Sequence, residues 1–115
     1  DEPQGLVEGT RTLVWDVTDL DDPILVKEYI ASTPDTDHNL YIVGDLMYQS
    51  NYGAGLRILD ISDPENPVEI AFFDNSPYGG ASWSNYPFFE SGIIAVTGTG
   101  DGLFLLKNTA NRLVP

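Results

Sequence analysis

The chain has no cysteine, a single histidine and only five basic residues. Without cysteine, disulfides, zinc–thiolate sites and thiol nucleophiles are all excluded. Five cations against 18 carboxylates give a net charge of −13. Such a chain lacks the basic surface that binds a phosphate backbone, so we expect no nucleic-acid partner. No apolar run approaches the roughly 20 residues of a membrane span, so we expect no membrane insertion in this segment.

The chain is rich in turn-forming residues. Its 115 residues include eight prolines and eleven glycines, while 42% are hydrophobic. No window shows a clean helical period, and the apolar runs are short and bounded by Gly, Pro, Asp or Asn. This pattern predicts short strands around a packed core. Because the first residue is Asp1 and not Met, we expect a segment of a longer protein.

An internal repeat organises these runs. The stretch DVTDLDDP at 16–23 recurs as DISDPENP at 60–67, at an offset of 44 residues. A longer alignment matches 38–60 with 85–107 at an offset of 47. Periods of this length with four strand-like runs are typical of β-propeller blades.

The repeat predicts an all-β fold built from propeller-type blades of four antiparallel strands. Nine predicted strands divide as two, four and three, which gives a partial blade at 12–31, a blade at 38–74 and a partial blade at 85–107. A blade buries its faces against its neighbours, so the incomplete end blades need a cover. We therefore expect a protein partner, the remaining blades of the same propeller, or self-association.

The same residues resemble the LVIVD-repeat family. LRILDISDPENP at 56–67 is similar to its repeat signature, and 12–23 is a weaker copy. The stretches at 38–41, 49–52 and 83–89 resemble proteins of the choice-of-anchor B type. The resemblance implies a propeller fold and an extracellular or cell-surface setting. It implies no reaction and brings no catalytic residues or cofactor.

One acidic loop is a candidate cation site. Asp19, Asp21 and Asp22 together could offer the oxygen ligands that Ca²⁺ prefers. The alternative is structural, because Asp side chains in such loops accept hydrogen bonds from backbone N–H groups two residues on. The sequence lacks the EF-hand calcium loop, so the structural interpretation is favoured and no cofactor is predicted except this calcium alternative.

Candidate ligand-binding residues lie at the start of predicted innermost strands, which line the central channel of a propeller. They are Asp37, His38, Asn39, Trp83 and Asn85. Each also has a structural interpretation, as a backbone partner at a blade crossing or as packing between blades.

Two hypotheses for function follow from this inventory. The first is a non-enzymatic interaction or scaffold module, since no catalytic constellation is visible: Ser84 lacks both a nucleophile elbow and a nearby triad. The second is a ligand-binding or enzymatic propeller whose central-channel site is completed by other blades or chains. Polar side chains converging on His38 would favour the second.

Overall fold

The computed structural model describes residues 5–75 and 81–109, and that part of the chain contains strands and no helix. It accordingly contains no helix that could cross a membrane. The strands, in chain order, are β1 (Arg11–Asp16), β2 (Ile24–Ile30), β3 (Asn39–Val43), β4 (Leu46–Asn51), β5 (Gly55–Asp60), β6 (Val68–Phe73), β7 (Ser82–Tyr86), β8 (Ile93–Gly98) and β9 (Gly102–Lys107).

The strands form three antiparallel sheets, and within each sheet the strands follow their order in the chain. Sheet A has the order β1-β2, sheet B the order β3-β4-β5-β6 and sheet C the order β7-β8-β9. Short connections rich in Gly, Asp and Pro allow only such neighbouring pairings. The all-β class and the division into two, four and three strands are therefore confirmed.

One strand differs from its prediction. The alignment at offset 47 predicts a strand over Tyr86–Phe89, whereas β7 ends at Tyr86. Pro87 follows immediately, and proline has no N–H to continue the ladder. Strand β7 therefore pairs with β8 through the preceding residues, from Ser82 opposite Gly98 to Tyr86 opposite Ala95.

The turn between β4 and β5 has a backbone that few residues tolerate. Tyr52 has a φ of 27° and Gly55 a φ of 77°. A Cβ at Gly55 would lie 2.2 Å from the carbonyl oxygen of Phe73, so only glycine fits beside β6. This turn fixes where Tyr52 leaves the sheet.

The hydrophobic core lies between sheets B and C. Its buried members are Tyr48, Leu56, Ile58, Ile94 and Val96. Successive side chains of a strand point to opposite faces, so their neighbours along β4 and β5 face sheet A instead.

The second face of sheet B packs against sheet A. Gln49 is buried there and donates from Nε2 to the hydroxyl of Thr12 in β1, at 2.9 Å. Met47 lies beside it and lines, with Val14, an apolar cavity of about 220 Å³ between the two sheets. Sheet B is thus covered on both faces, by sheet C on one side and by sheet A on the other.

Candidate functional site

Three rings meet where sheets B and C come together. The centroids of His38 and Trp83 are 3.8 Å apart, with 33° between the ring planes. Tyr52 lies edge-on to His38 at 5.2 Å and edge-on to Trp83 at 6.1 Å. The rings contact one another directly, so they form one cluster.

Backbone hydrogen bonds hold this cluster in place. The N–H of His38, just before β3, donates to the carbonyl of Ser50 in β4 at 3.0 Å. The N–H of Ser82 in β7 donates to the carbonyl of Tyr52 at 2.8 Å. The backbone of each of the three residues is therefore held by hydrogen bonds to a strand or lies within one, since Trp83 follows Ser82 directly in β7.

The imidazole of His38 is oriented by one further bond. Nδ1 lies 2.5 Å from the carbonyl oxygen of Trp83. A carbonyl only accepts, so Nδ1 carries the proton and donates it. In the neutral ring Nε2 is then the free acceptor. The bond satisfies a backbone carbonyl, as the structural interpretation of His38 requires, and also fixes the direction of Nε2.

His38 also lines a cavity of about 260 Å³ at the β3 edge of sheet B. Its other lining residues are Asp37, Asn39, Leu40 and Gln49. Four polar residues and one leucine thus border this cavity, although the amide of Gln49 is bonded toward sheet A and that of Asn39 toward sheet C. Three of the five predicted ligand-binding residues, Asp37, His38 and Asn39, lie together here.

Trp83 and Asn85 lie outside this lining. Trp83 contacts the lining residue His38 but does not itself line the cavity. The side-chain amide of Asn85 donates to the hydroxyl of Ser50 at 2.9 Å and to the carbonyl of Tyr48 at 3.2 Å. Asn85 is buried in the seam between sheets B and C, which matches its structural interpretation.

The amide of Asn39 also joins the two sheets. Its Nδ2 donates to the hydroxyl of Ser84 in β7 at 3.2 Å. Asn39 thus connects β3 with β7, and the residue also borders the cavity.

The seam between sheets A and B disfavours additional negative charge. The pKa of Tyr29, in β2, is raised above its ordinary value of 10.0, first by burial and then by the charges of Glu69 and Asp37. The guanidinium of Arg57 opposes this shift. It is paired with Glu69 at 3.2 Å, which limits the positive charge that it offers to other groups.

The acidic loop forms hydrogen bonds within itself. The Asp19 carboxylate accepts from the N–H of Asp21 at 3.0 Å, and its carbonyl accepts from the N–H of Asp22 at 3.3 Å. Asp63 accepts equivalent bonds from the N–H groups of Glu65 and Asn66 in the second turn. Among residues 5–75 and 81–109, no three His, Asp or Glu side chains are grouped closely enough to hold a metal ion.

A neighbouring aspartate shows the same turn chemistry. The N–H of Thr18 donates to Asp16 at 2.9 Å, as that of Ser62 does to Asp60. The side-chain and backbone hydrogen bonds from Thr18 lower the pKa of Asp16 below its ordinary value. The carboxylates that open both turns therefore act as backbone acceptors.

Two residues of this region, Tyr52 and Gln49, were not among the predicted ligand-binding residues. Tyr52 lies in a glycine-rich segment, a pattern that predicts a turn but gives no signal for a ring contact. Gln49 sits mid-strand between Tyr48 and Ser50, and a polar residue flanked by strand formers was its only signal. Comparisons with protein-family models, with curated proteins and with solved structures found no match for this chain.

Proposed function

We propose that this chain is part of a β-propeller that acts as a non-enzymatic interaction or scaffold module, with its outer sheet faces as binding surfaces for further blades of the same kind. The observation that carries the proposal is the unequal burial of residues that the repeat aligns.

Leu56 and Leu103 occupy the second position of the third strand in sheets B and C, and the repeat aligns them. Leu56 is 1% exposed against sheet C, whereas Leu103 in β9 is 63% exposed. Two residues further on, Ile58 is 3% exposed and Leu105 is 64% exposed. The same positions are thus apolar in both sheets but covered in only one. A sheet that packs on sheet C as sheet C packs on sheet B would bury Leu103 and Leu105.

The other end of the described chain shows the complementary pattern. Leu59 is 0% exposed on the face toward sheet A, and the repeat aligns it with Trp15, which is 48% exposed. Large exposed apolar groups that recur on one face mark an interaction surface. The occupant that fits both faces is a further sheet with the same alternation, because such a sheet is what covers the aligned residues within this chain.

A second copy of the chain can supply such a sheet, so self-association tests the proposal. We expect the weight-average mass in sedimentation equilibrium to rise with protein concentration. The experiment is run at about 0.15 M salt, where charges more than about 8 Å apart are screened, because a net charge of −13 opposes association. The double variant Leu103→Gln with Leu105→Gln is expected to stay monomeric.

The matched control is Leu20→Gln, an exposed leucine in the loop between β1 and β2 and outside the two faces. It is expected to associate like the unaltered chain. A monomer at every concentration, or equal association of the double variant, would contradict the proposal. Secretion or surface display of the parent protein, which the family resemblance implies, is part of the same proposal and is tested by cell fractionation.

A second candidate function is ligand binding at the inner edge of the sheets. The cavity lined by Asp37, His38, Asn39, Leu40 and Gln49 favours it, since four polar residues, among them the only histidine, border it. Ligand pockets typically combine an apolar lining with a few well-placed polar groups. In a propeller these residues would face the central channel, where other blades would add to the lining. Isotope-labelled chain titrated with small ligands, read by amide chemical shifts, tests it.

A further inference from the structure

We propose that the outer edge of β9 accepts one extended strand from a partner polypeptide, which completes sheet C to four strands. This binding mode differs from the packing of sheet faces proposed above, because the partner pairs through its backbone with one edge of one sheet. It does not require a propeller. The partner strand needs apolar side chains at its second and fifth positions and one extra residue between them.

Strand β9 presents a continuous apolar edge. Within residues 5–75 and 81–109 it pairs with β8 alone, whereas the aligned strand β5 pairs on both sides, with β4 and β6. Its sequence is GLFLLK, with one charge at the end and no proline, and its register with β8 has no bulge. Soluble proteins usually interrupt an unpaired edge with charges, proline or a bulge. An edge without these features is typical of a strand that accepts another strand.

Sheet C lacks one strand, whereas sheet A lacks two. The repeat places β1 and β2 third and fourth in a blade, so the open side of β1 lacks a first and a second strand. Strand β9 is third and lacks only a fourth. The eight residues after Lys107 are too few to provide it, because the connections before β2 and β6 alone take seven residues each, 17–23 and 61–67. We therefore infer that a partner polypeptide donates the strand.

A groove between β6 and the end of β9 marks where the added strand would lie. It has a volume of about 170 Å³, and its lining includes Ile58, Ala71 and Phe73 of sheet B and Leu106 of sheet C. These side chains belong to the core between the two sheets or pack against it. The ring of Phe104 in β9 also contacts Phe73, with 5.4 Å between centroids. A strand paired with β9 would continue this packing along β6.

The two pairs of third and fourth strands show the register that the added strand would adopt. In β1–β2 the register shifts after Val14, and in β5–β6 it shifts after Ile58, which the repeat aligns with Val14. In both pairs the fourth strand has one extra residue at this point. Leu105 is the aligned residue of β9, so the added strand would have its extra residue opposite the step after Leu105.

This register determines which side chains of the added strand face the groove. Residues directly opposite each other in an antiparallel pair lie on the same face. Phe104 and Leu106 pack toward sheet B, and by alignment with β5–β6 they lie opposite the fifth and second positions of the added strand. Both positions should therefore be apolar. In β2 they are Glu28 and Leu25, so the β2 sequence meets the requirement at one of the two.

The test uses the β2 sequence as a free donor strand. A peptide of residues 23–31, PILVKEYIA, with both ends capped, is titrated into the isotope-labelled full chain. The β2 strand of the chain itself stays paired with β1, because that pairing is intramolecular. We expect saturable amide shifts and slowed hydrogen exchange along β9 and at Ala71 and Phe73. Absence of binding would overturn the proposal, as would shifts confined to β1, the other open edge.

Substitutions in the peptide test the face assignment and leave the chain unaltered. Leu25→Thr removes the apolar group directed at the groove, whereas Ile24→Thr is a similar change on the opposite face. We expect a loss of affinity of roughly tenfold for the first and less than about threefold for the second. Glu28→Phe places a ring where β6 has Phe72, and it should bind more tightly than Glu28→Gln, which only removes the charge.

Deleting Val26 from the peptide tests the register. Without the extra residue, the side chains on one side of the bulge would exchange faces, so we expect binding to weaken roughly tenfold. An unchanged affinity of the shortened peptide would overturn the proposed pairing with β9. Equal losses for Leu25→Thr and Ile24→Thr would overturn docking in the groove.

Discussion

Truncating Leu56 and Leu103 to alanine tests whether aligned residues differ in the way that the sheet packing requires. Both are leucines at the second position of a third strand, in β5 and β9. Leu56 is buried between sheets B and C, whereas Leu103 faces away from sheet B on the uncovered side of sheet C. The change in free energy of unfolding should therefore be large for Leu56→Ala and small for Leu103→Ala.

The expected magnitude follows from the atoms removed. Leucine to alanine deletes three carbon groups, and each buried group contributes about 0.8 kcal/mol, so transfer alone costs about 2.4 kcal/mol. The remaining cavity adds to this, and buried Leu→Ala changes typically cost roughly 2–5 kcal/mol. We expect about 3 kcal/mol for Leu56→Ala. At 63% exposure, Leu103→Ala keeps little burial to lose, and we expect less than about 1 kcal/mol.

Urea unfolding followed by tryptophan fluorescence measures both changes. It is performed at low protein concentration, so that association through the uncovered faces does not contribute. Because both variants replace leucine by alanine at the same position of a strand, the low strand preference of alanine affects both, and a difference between them reports the environment of the side chain. Equal losses for the two variants would refute the assignment of one face as covered and the other as free. A larger loss for Leu103→Ala would reverse it.

Two further predictions concern charge. The raised pKa of Tyr29 means that the folded state holds the phenolic proton more tightly than the unfolded chain, so stability should fall as pH rises above 10.0. Tyr29→Phe should reduce this fall in urea unfolding between about pH 9 and pH 11, and an unchanged slope would contradict it. Because Asp19 already accepts backbone hydrogen bonds, calcium should raise the melting temperature no more than magnesium at matched ionic strength. A calcium-specific rise that disappears in Asp21→Asn with Asp22→Asn would instead establish a site.

The sequence was sufficient to predict the strands wherever local chemistry decides them. The apolar runs predict strands at 39–43, 46–51 and 68–73, and β3, β4 and β6 have these bounds, because apolar alternation and turn residues are both encoded within a few positions. The turns that begin with Asp16 and Asp60 could also be predicted from the sequence, since both side chains accept hydrogen bonds from N–H groups only two residues away. The prediction for β7 was wrong because repeat alignment outweighed Pro87, whose local effect ends the strand.

The tertiary structure decided what the repeat could not. The aligned Leu56 and Leu103 carry the same local information, yet their burial differs because only one faces a described neighbouring sheet. The site shows the same limit: His38 and Asn39 were predicted from their place at the start of a strand, while Gln49 and Tyr52 lie beside them because β4 pairs with β3. Sequence periodicity specifies which face of a strand is apolar, but packing against another sheet determines whether that face is core or binding surface.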